Sequence, residues 1–185
     1  MTNVRHAFAA LVTPLALAGC VIVPLPGETV VTTTLVRSDD QDIGKVYMTA
    51  ASNGVMMRID AAGLPPGPHG AHVHSIGRCD RRDFRTAGPH WDLSGHHHGK
   101  SNPAGPHDGD LGNVSVDANG RLAVNVLVPN AVLPLEGATA GQKVMRDSDG
   151  AALIIHSGMD DERSDPNGNS GEPIACAVLA APLQP

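Results

Sequence analysis

Two Asn-Gly dipeptides, Asn53-Gly54 in KVYMTAASNGVMMRID and Asn119-Gly120 in GNVSVDANGRLAVNVLVP, lie between runs in which apolar and polar residues alternate. Alternation with a period of two gives a strand one buried and one wet face, and Asn-Gly supplies the conformations a tight hairpin turn requires. Both stretches are therefore predicted to be β-hairpins. TVVTTTLV (29–36) is rich in β-branched residues, and the apolar runs ALIIH (152–156) and IACAVLA (174–180) read as buried strands. No long stretch carries a helical period. With aromatics at 2%, the core must be built from Val, Leu, Ile, Met and Ala, which suits strands. The expected fold is all-β, a sandwich or barrel.

Two segments do not pattern as strands: roughly 75–111, rich in His, Gly, Pro and Asp, and roughly 157–173, rich in Asp, Ser, Gly and Asn. Loops of that length in a domain are usually functional. A net charge of −6, with no Lys/Arg block, argues against a nucleic-acid partner.

The N-terminus, MTNVRHAFAALVTPLALAGC, has one arginine, an apolar run too short to span a bilayer, and Leu17-Ala18-Gly19-Cys20. That ending resembles a bacterial lipobox. It implies a signal peptide at 1–19, a lipid on Cys20, a short tether over 20–29 and a β-domain over 30–185. The protein is then expected to be exported and membrane-anchored on the periplasmic side of the envelope. Val21 after the cysteine favours the outer membrane. Lipidation of Cys20 leaves Cys79 and Cys176, an even pair that an oxidising compartment would bridge. The alternative is two free buried thiols.

Eight of the ten histidines fall between 69 and 107. His72 and His74 alternate at a strand end, so their rings share one side and can share an ion such as copper or zinc. In AGPHWD and HDGD, Asp110 follows His107 by three residues; with His90 and another imidazole it could close a tetrahedral zinc site. The tract GHHHGK (95–100) could by itself be a loose metal sponge. His156 ends a core strand, where a lone histidine would by default be structural.

The segments HGAHVHSIGRC, AGPHWD, HDGDLGNV, LIIHSGMDD and GEPIACAVL, in this order over about 45–180, resemble the copper/zinc superoxide dismutase family. The resemblance implies a Greek-key, immunoglobulin-like β-sandwich or flattened barrel with two long functional loops. It implies copper on His72, His74, His90 and His156, and zinc on His90, His98, His107 and Asp110. His90 would bridge the metals and relay a proton. His90, His98 and His107 keep the family's spacing; His96 and His97 do not. Asp160 matches a carboxylate that hydrogen-bonds ligands of both metals, His69 matches a structural histidine, and Cys79–Cys176 matches the family disulfide. The implied activity is conversion of superoxide to dioxygen and hydrogen peroxide. Family members differ in oligomeric state, so a homodimer is one state the resemblance allows.

One departure bears on function. Pro173 stands where the family places the arginine that guides superoxide to copper, and the surrounding loop is acidic. Turnover is expected to be slowed. Arg163 or one of Arg78, Arg81, Arg82 and Arg85 is a candidate substitute. The alternative reading is an exported copper/zinc-buffering protein with little or no dismutase activity. Two milder departures, Ala71 where an aromatic is usual and Trp91 after His90, raise the expectation that Trp91 either fills the vacated volume or covers the metal loop.

Overall fold

The described residues form β1 (Val30–Arg37), β2 (Asp42–Ala51), β3 (Gly54–Ala62), β4 (Gly67–His74), β5 (Asp110–Val116), β6 (Arg121–Pro129), the two-residue β7 (Ala131–Val132) and β8 (Lys143–Val144), then β9 (Ala151–His156) and β10 (Pro173–Ala180), and the runs read as strands from sequence fall in β1, β2, β3, β5, β6, β9 and β10. The computed structural model describes residues 29–133, 143–145 and 148–181. The signal peptide and Cys20 lie outside the described residues. Among these, the one helical element is a 3-10 turn at Arg85–Ala87.

Eight strands form a single antiparallel sheet in the order β5-β4-β9-β10-β1-β2-β3-β6, beside a small parallel β7-β8 pair. Edge strands β5 and β6 meet across the seam, so the sheet curls into a nearly closed flattened barrel rather than two separate layers. Inward positions carry the alternating apolar residues: Val46 and Met48, Val55, Met57 and Ile59, Leu122 and Val128, Leu153 and Ile155 are all fully buried. Ala71 and Trp91 belong to this same core, so Trp91 fills interior volume and does not merely cover the loop.

The two Asn-Gly turns behave differently. β2 and β3 form the expected hairpin, with Ala51 opposite Gly54, so the turn residues are Ser52 and Asn53. Gly54 is needed for another reason: a Cβ there would meet the Val128 carbonyl at 2.1 Å. The Asn119-Gly120 turn, by contrast, does not open a ladder. Asp117 closes it, accepting N–H bonds from Asn119 and Arg121 on its carboxylate, but β5 then pairs with β4 and β6 with β3. Each strand finds a longer ladder elsewhere, and the turn becomes a corner across the seam.

β9 is buried at all six positions. Its inner face, Leu153 and Ile155, joins the main core, while Ala152 and Ile154 pack outside the barrel against Phe84, Ala87 and Cys176. That second cluster lies under the loop stapled by Cys79–Cys176, whose Cα atoms are 5.8 Å apart across 97 residues of sequence. Closing a loop of this length is worth about 4–5 kcal/mol in the chain-entropy account. The staple ties the segment after β4 to β10, and the metal-loop residues are built on that foundation.

Candidate metal centre

β4 and β9 are neighbours, with His72 opposite Ile154. By strand alternation His72, His74 and His156 then leave the barrel on its outer face, side by side. His90 is brought to them by an isolated bridge to His74, and Trp91 locks this segment by donating its backbone N–H to the Val73 carbonyl at 2.8 Å. His72, His74, His90 and His156 each offer a ligand atom within 4.8 Å of the others.

The hydrogen bonds of these rings leave particular nitrogens over. His74 Nδ1 donates to the Gly88 carbonyl at 2.7 Å and His156 Nδ1 to the Gly171 carbonyl at 3.0 Å. His72 Nε2 sits 2.8 Å from Asp160 Oδ2, and His90 Nδ1 2.9 Å from Asp110 Oδ1. The remaining nitrogens, His72 Nδ1, His74 Nε2, His90 Nε2 and His156 Nε2, are buried with no hydrogen-bond partner. Buried polar atoms are rarely left so. Four orphaned imidazole nitrogens converging on one point are the donor set of a soft or borderline transition metal such as copper.

A second focus lies on the other side of His90. Asp110 Oδ1 is approached by His90 Nδ1 at 2.9 Å, His98 Nδ1 at 3.0 Å and His107 Nδ1 at 3.4 Å. Ligands held about 2.0–2.1 Å from a tetrahedral zinc ion are about 3.3 Å from each other, so this spacing fits zinc. By proximity alone His72 also joins His90, His98 and Asp110. Its Nε2 is committed to Asp160, however, and its free nitrogen belongs to the first group, whereas His107 Nδ1 is buried without a hydrogen bond beside Asp110. Donor orientation thus groups His107, and not His72, with the second focus.

Asp160 spans the two foci, with Oδ2 on His72 Nε2 and Oδ1 on His98 Nε2 at 3.0 Å. His69 is structural, its nitrogens 2.8 Å from the carbonyls of His156 and Pro65. The triple histidine is resolved by exposure. His98 is fully buried, while His96 bonds the Pro106 carbonyl and His97 pairs with Asp165, both at the surface. Asp165, which sequence reasoning missed, also accepts the His98 backbone N–H at 2.6 Å.

Burial and charge set the protonation of these groups. Burial lowers His72 to about 4 despite its Asp160 bond, pushes His74 well below its ordinary value, and lowers His90 and His156. These rings are neutral and ready to ligate. Burial opposes charge on His98 too, but bonds to Asp110 and Asp160 outweigh it and raise that ring to about 9. Burial likewise opposes charge on Asp110 and Asp160, and the histidine bonds outweigh it, holding both carboxyls far below the usual range.

A cavity of about 480 Å³ opens onto His74, His90, His107 and His156 and is otherwise walled by Gly88, Pro89, Asp92, Pro166 and Asn167. No cation lines it among the described residues. The arginines considered as substitutes are engaged elsewhere: Arg78 with Asp80, Arg81 with Asp40, and Arg85 with Glu172 and Asp83. Arg82 and Arg163 are absent from the cavity wall.

A barrel with two buried donor sets sharing one imidazole defines a binuclear metalloprotein, and comparison with known proteins gives its class. Residues 43–179 match the family described as copper/zinc superoxide dismutase. The Cu-Zn superoxide dismutase 1 of Aquifex aeolicus is 39% identical over 147 residues, covering 78% of this chain and 84% of that protein. A SOD-like protein from Bacillus subtilis superposes with a TM-score of 0.74 at 35% identity, covering 80% of this chain and 97% of the other. The Cu/Zn superoxide dismutase of Brucella abortus gives 0.62 at 26% identity, covering 82% and 99%. The chain belongs to the copper/zinc superoxide dismutase family, and with that come the oxidoreductase class and the metals copper and zinc.

The histidine shifts set the pH dependence of the metal-free protein. A ring lowered in the fold, as His72 is, contributes stability that is present above about 6.5 and lost as pH falls through about 4. A ring raised in the fold, as His98 is, contributes stability present below about 6.5 and lost as pH rises through about 9. Urea midpoints of the metal-free protein should therefore peak between about pH 6 and 7 and fall on both sides. A midpoint that climbs steadily to pH 9 would contradict the charged His98 between two carboxylates.

Proposed function

We propose that this chain is an exported superoxide dismutase in which His72, His74, His90 and His156 hold copper and His90, His98, His107 and Asp110 hold zinc. The observation that carries the reading is the set of buried ring nitrogens with no protein partner. His90 has one nitrogen toward each focus and would be the ligand shared by both metals.

When bound, the metal pair supplies the one-electron redox chemistry by which two superoxide anions and two protons become dioxygen and hydrogen peroxide. The protein's part is orientation and proton handling. The Gly88 and Gly171 carbonyls fix the tautomers of His74 and His156 so that Nε2 faces inward. Asp160 holds Nε2 of His72 and of His98 at once, so that in these two rings Nδ1 is the nitrogen turned to the foci. His90 Nε2, the nitrogen grouped with those of His72, His74 and His156, is where a proton for peroxide would be held; Asp110 beside Nδ1 keeps the ring in place.

Pro173 is the register partner of His156 and sits beside the copper face. Proline brings neither charge nor donor there, and the nearest carboxylate neighbour in sequence, Glu172, takes up Arg85. With no cation on the cavity wall, an approaching anion gains little from the field, which makes capture slower than steering would allow. The same feature favours the second reading, a copper/zinc-buffering protein with little turnover.

Restoring the charge should separate the two. In pulse radiolysis of the metal-loaded domain, Pro173→Arg is expected to raise kcat/KM about tenfold or more at low ionic strength, with a steeper fall on adding salt. Equal, fast rates in both proteins would sink the slowed-capture account. No turnover in either, with both metals bound, would support buffering.

Export and anchoring through Cys20 complete the proposal. The full chain is expected in the membrane fraction of a Gram-negative host, released to the soluble periplasm by Cys20→Ser. Recovery of the unchanged full chain in the soluble fraction would overturn the lipid anchor.

A further inference from the structure

β5 carries Asp110 at its first position and, three residues on, an asparagine whose whole amide is spent on one residue of the opposite loop. Asn113 Nδ2 donates to the Asp160 carbonyl at 2.9 Å, and Asn113 Oδ1 accepts the Asp160 backbone N–H at 2.8 Å. A primary amide presents donor and acceptor in one plane as a peptide unit does. The side chain therefore grips the Asp160 main chain much as a neighbouring strand would.

The carboxylate beyond that grip has little freedom. Its Oδ1 accepts the Glu162 N–H at 2.6 Å as well as facing His98 Nε2, and its Oδ2 faces His72 Nε2. Gly168 stands against it so closely that a Cβ would lie 1.8 Å from Oδ1. One carboxylate can serve two rings that belong to different donor sets only if its backbone is held at one depth, and Asn113 satisfies both backbone polar groups of Asp160.

We propose that Asn113 is a positioning residue for the binuclear centre: by fixing the Asp160 backbone it lets a single carboxylate orient His72 and His98 together, and so couples retention of the two metals. The inference rests on the reading of those histidines as ligands. Loss of the grip would let the carboxylate favour one ring and leave the other free to turn, which weakens both sites without removing a ligand.

The test is a double-mutant cycle in the metal-loaded domain with Asn113→Ala, Asp160→Ala and the pair. One readout is the rate of zinc loss to a chelator. The other is the visible spectrum of cobalt placed in the zinc position, which reports donor geometry and would not move if Asn113 merely stabilised the fold. Groups that support metal ligands typically contribute 10–100-fold to affinity, so Asn113→Ala should speed zinc loss about tenfold and shift the cobalt bands. In the Asp160→Ala background it should add almost nothing. Asn113→Asp keeps the acceptor and loses the donor; it should fall between wild type and alanine, and it stands in if the alanine variant does not fold. Zinc loss and cobalt spectra unchanged in both Asn113 variants, or an alanine effect undiminished without Asp160, would overturn the proposal. A wild-type protein that takes up neither metal would instead bring down the ligand assignment beneath it.

Discussion

Asp110 Oδ1 has three imidazole nitrogens within 3.4 Å of it, and the rest of the centre is arranged around that convergence. One of the three rings, His90, turns its other nitrogen to a second set of three imidazoles. Desolvation of so many ring nitrogens without hydrogen-bond partners is costly, because an unsatisfied buried polar group loses its water and gains nothing. On the reading proposed above, ions at the two foci would offset that cost, which would link folding of the loops to metal binding. The barrel makes this tolerable by keeping the rings off its own core. His72, His74 and His156 leave β4 and β9 on the outer face, while Ala71, Val73, Leu153 and Ile155 pack inside.

The loops are held by bonds that do not depend on metal. Cys79–Cys176 fixes one end to β10, the Trp91 main chain fixes another to Val73, and Asp165 ties the His98 backbone to the loop after β9. These contacts bring the donors close; the two carboxylates then set which nitrogen of His72, His90 and His98 faces inward, and the Gly88 and Gly171 carbonyls do so for His74 and His156. Among the described residues no cation lines the cavity beside Pro173; on the reading proposed above, the donor sets are whole and the difference would lie in how an anion approaches them.

Much of this could be read from sequence because it depends on short-range pattern. Alternation marked β2 and β3, β-branched content marked β1 and continuous apolar runs marked β9 and β10, while the family resemblance, through its spacing from His90 to His107, set His98 apart from His96 and His97. The Asn119-Gly120 turn misled because hairpin chemistry is local, whereas the choice of ladder partner is settled by the closure of the whole sheet. Asn113, Asp165 and the Arg81–Asp40 and Arg85–Glu172 ion pairs were invisible for a related reason. Each acts on a residue more than 40 positions away, and no sequence period marks such a contact. From sequence Trp91 reads more readily as a cover for the metal loop than as a filler of the volume beside Ala71, and its burial in the same core as Ala71 shows it to be the filler.

The account turns on His90 belonging to both donor sets, and metal affinity in single-site variants tests that most directly. Copper and zinc dissociation constants should be measured for the His74→Ala, His107→Ala and His90→Ala proteins. The account predicts that His74→Ala weakens chiefly copper, His107→Ala chiefly zinc, and His90→Ala both. A His90→Ala protein that loses affinity for one metal and keeps the other at the wild-type value would contradict it.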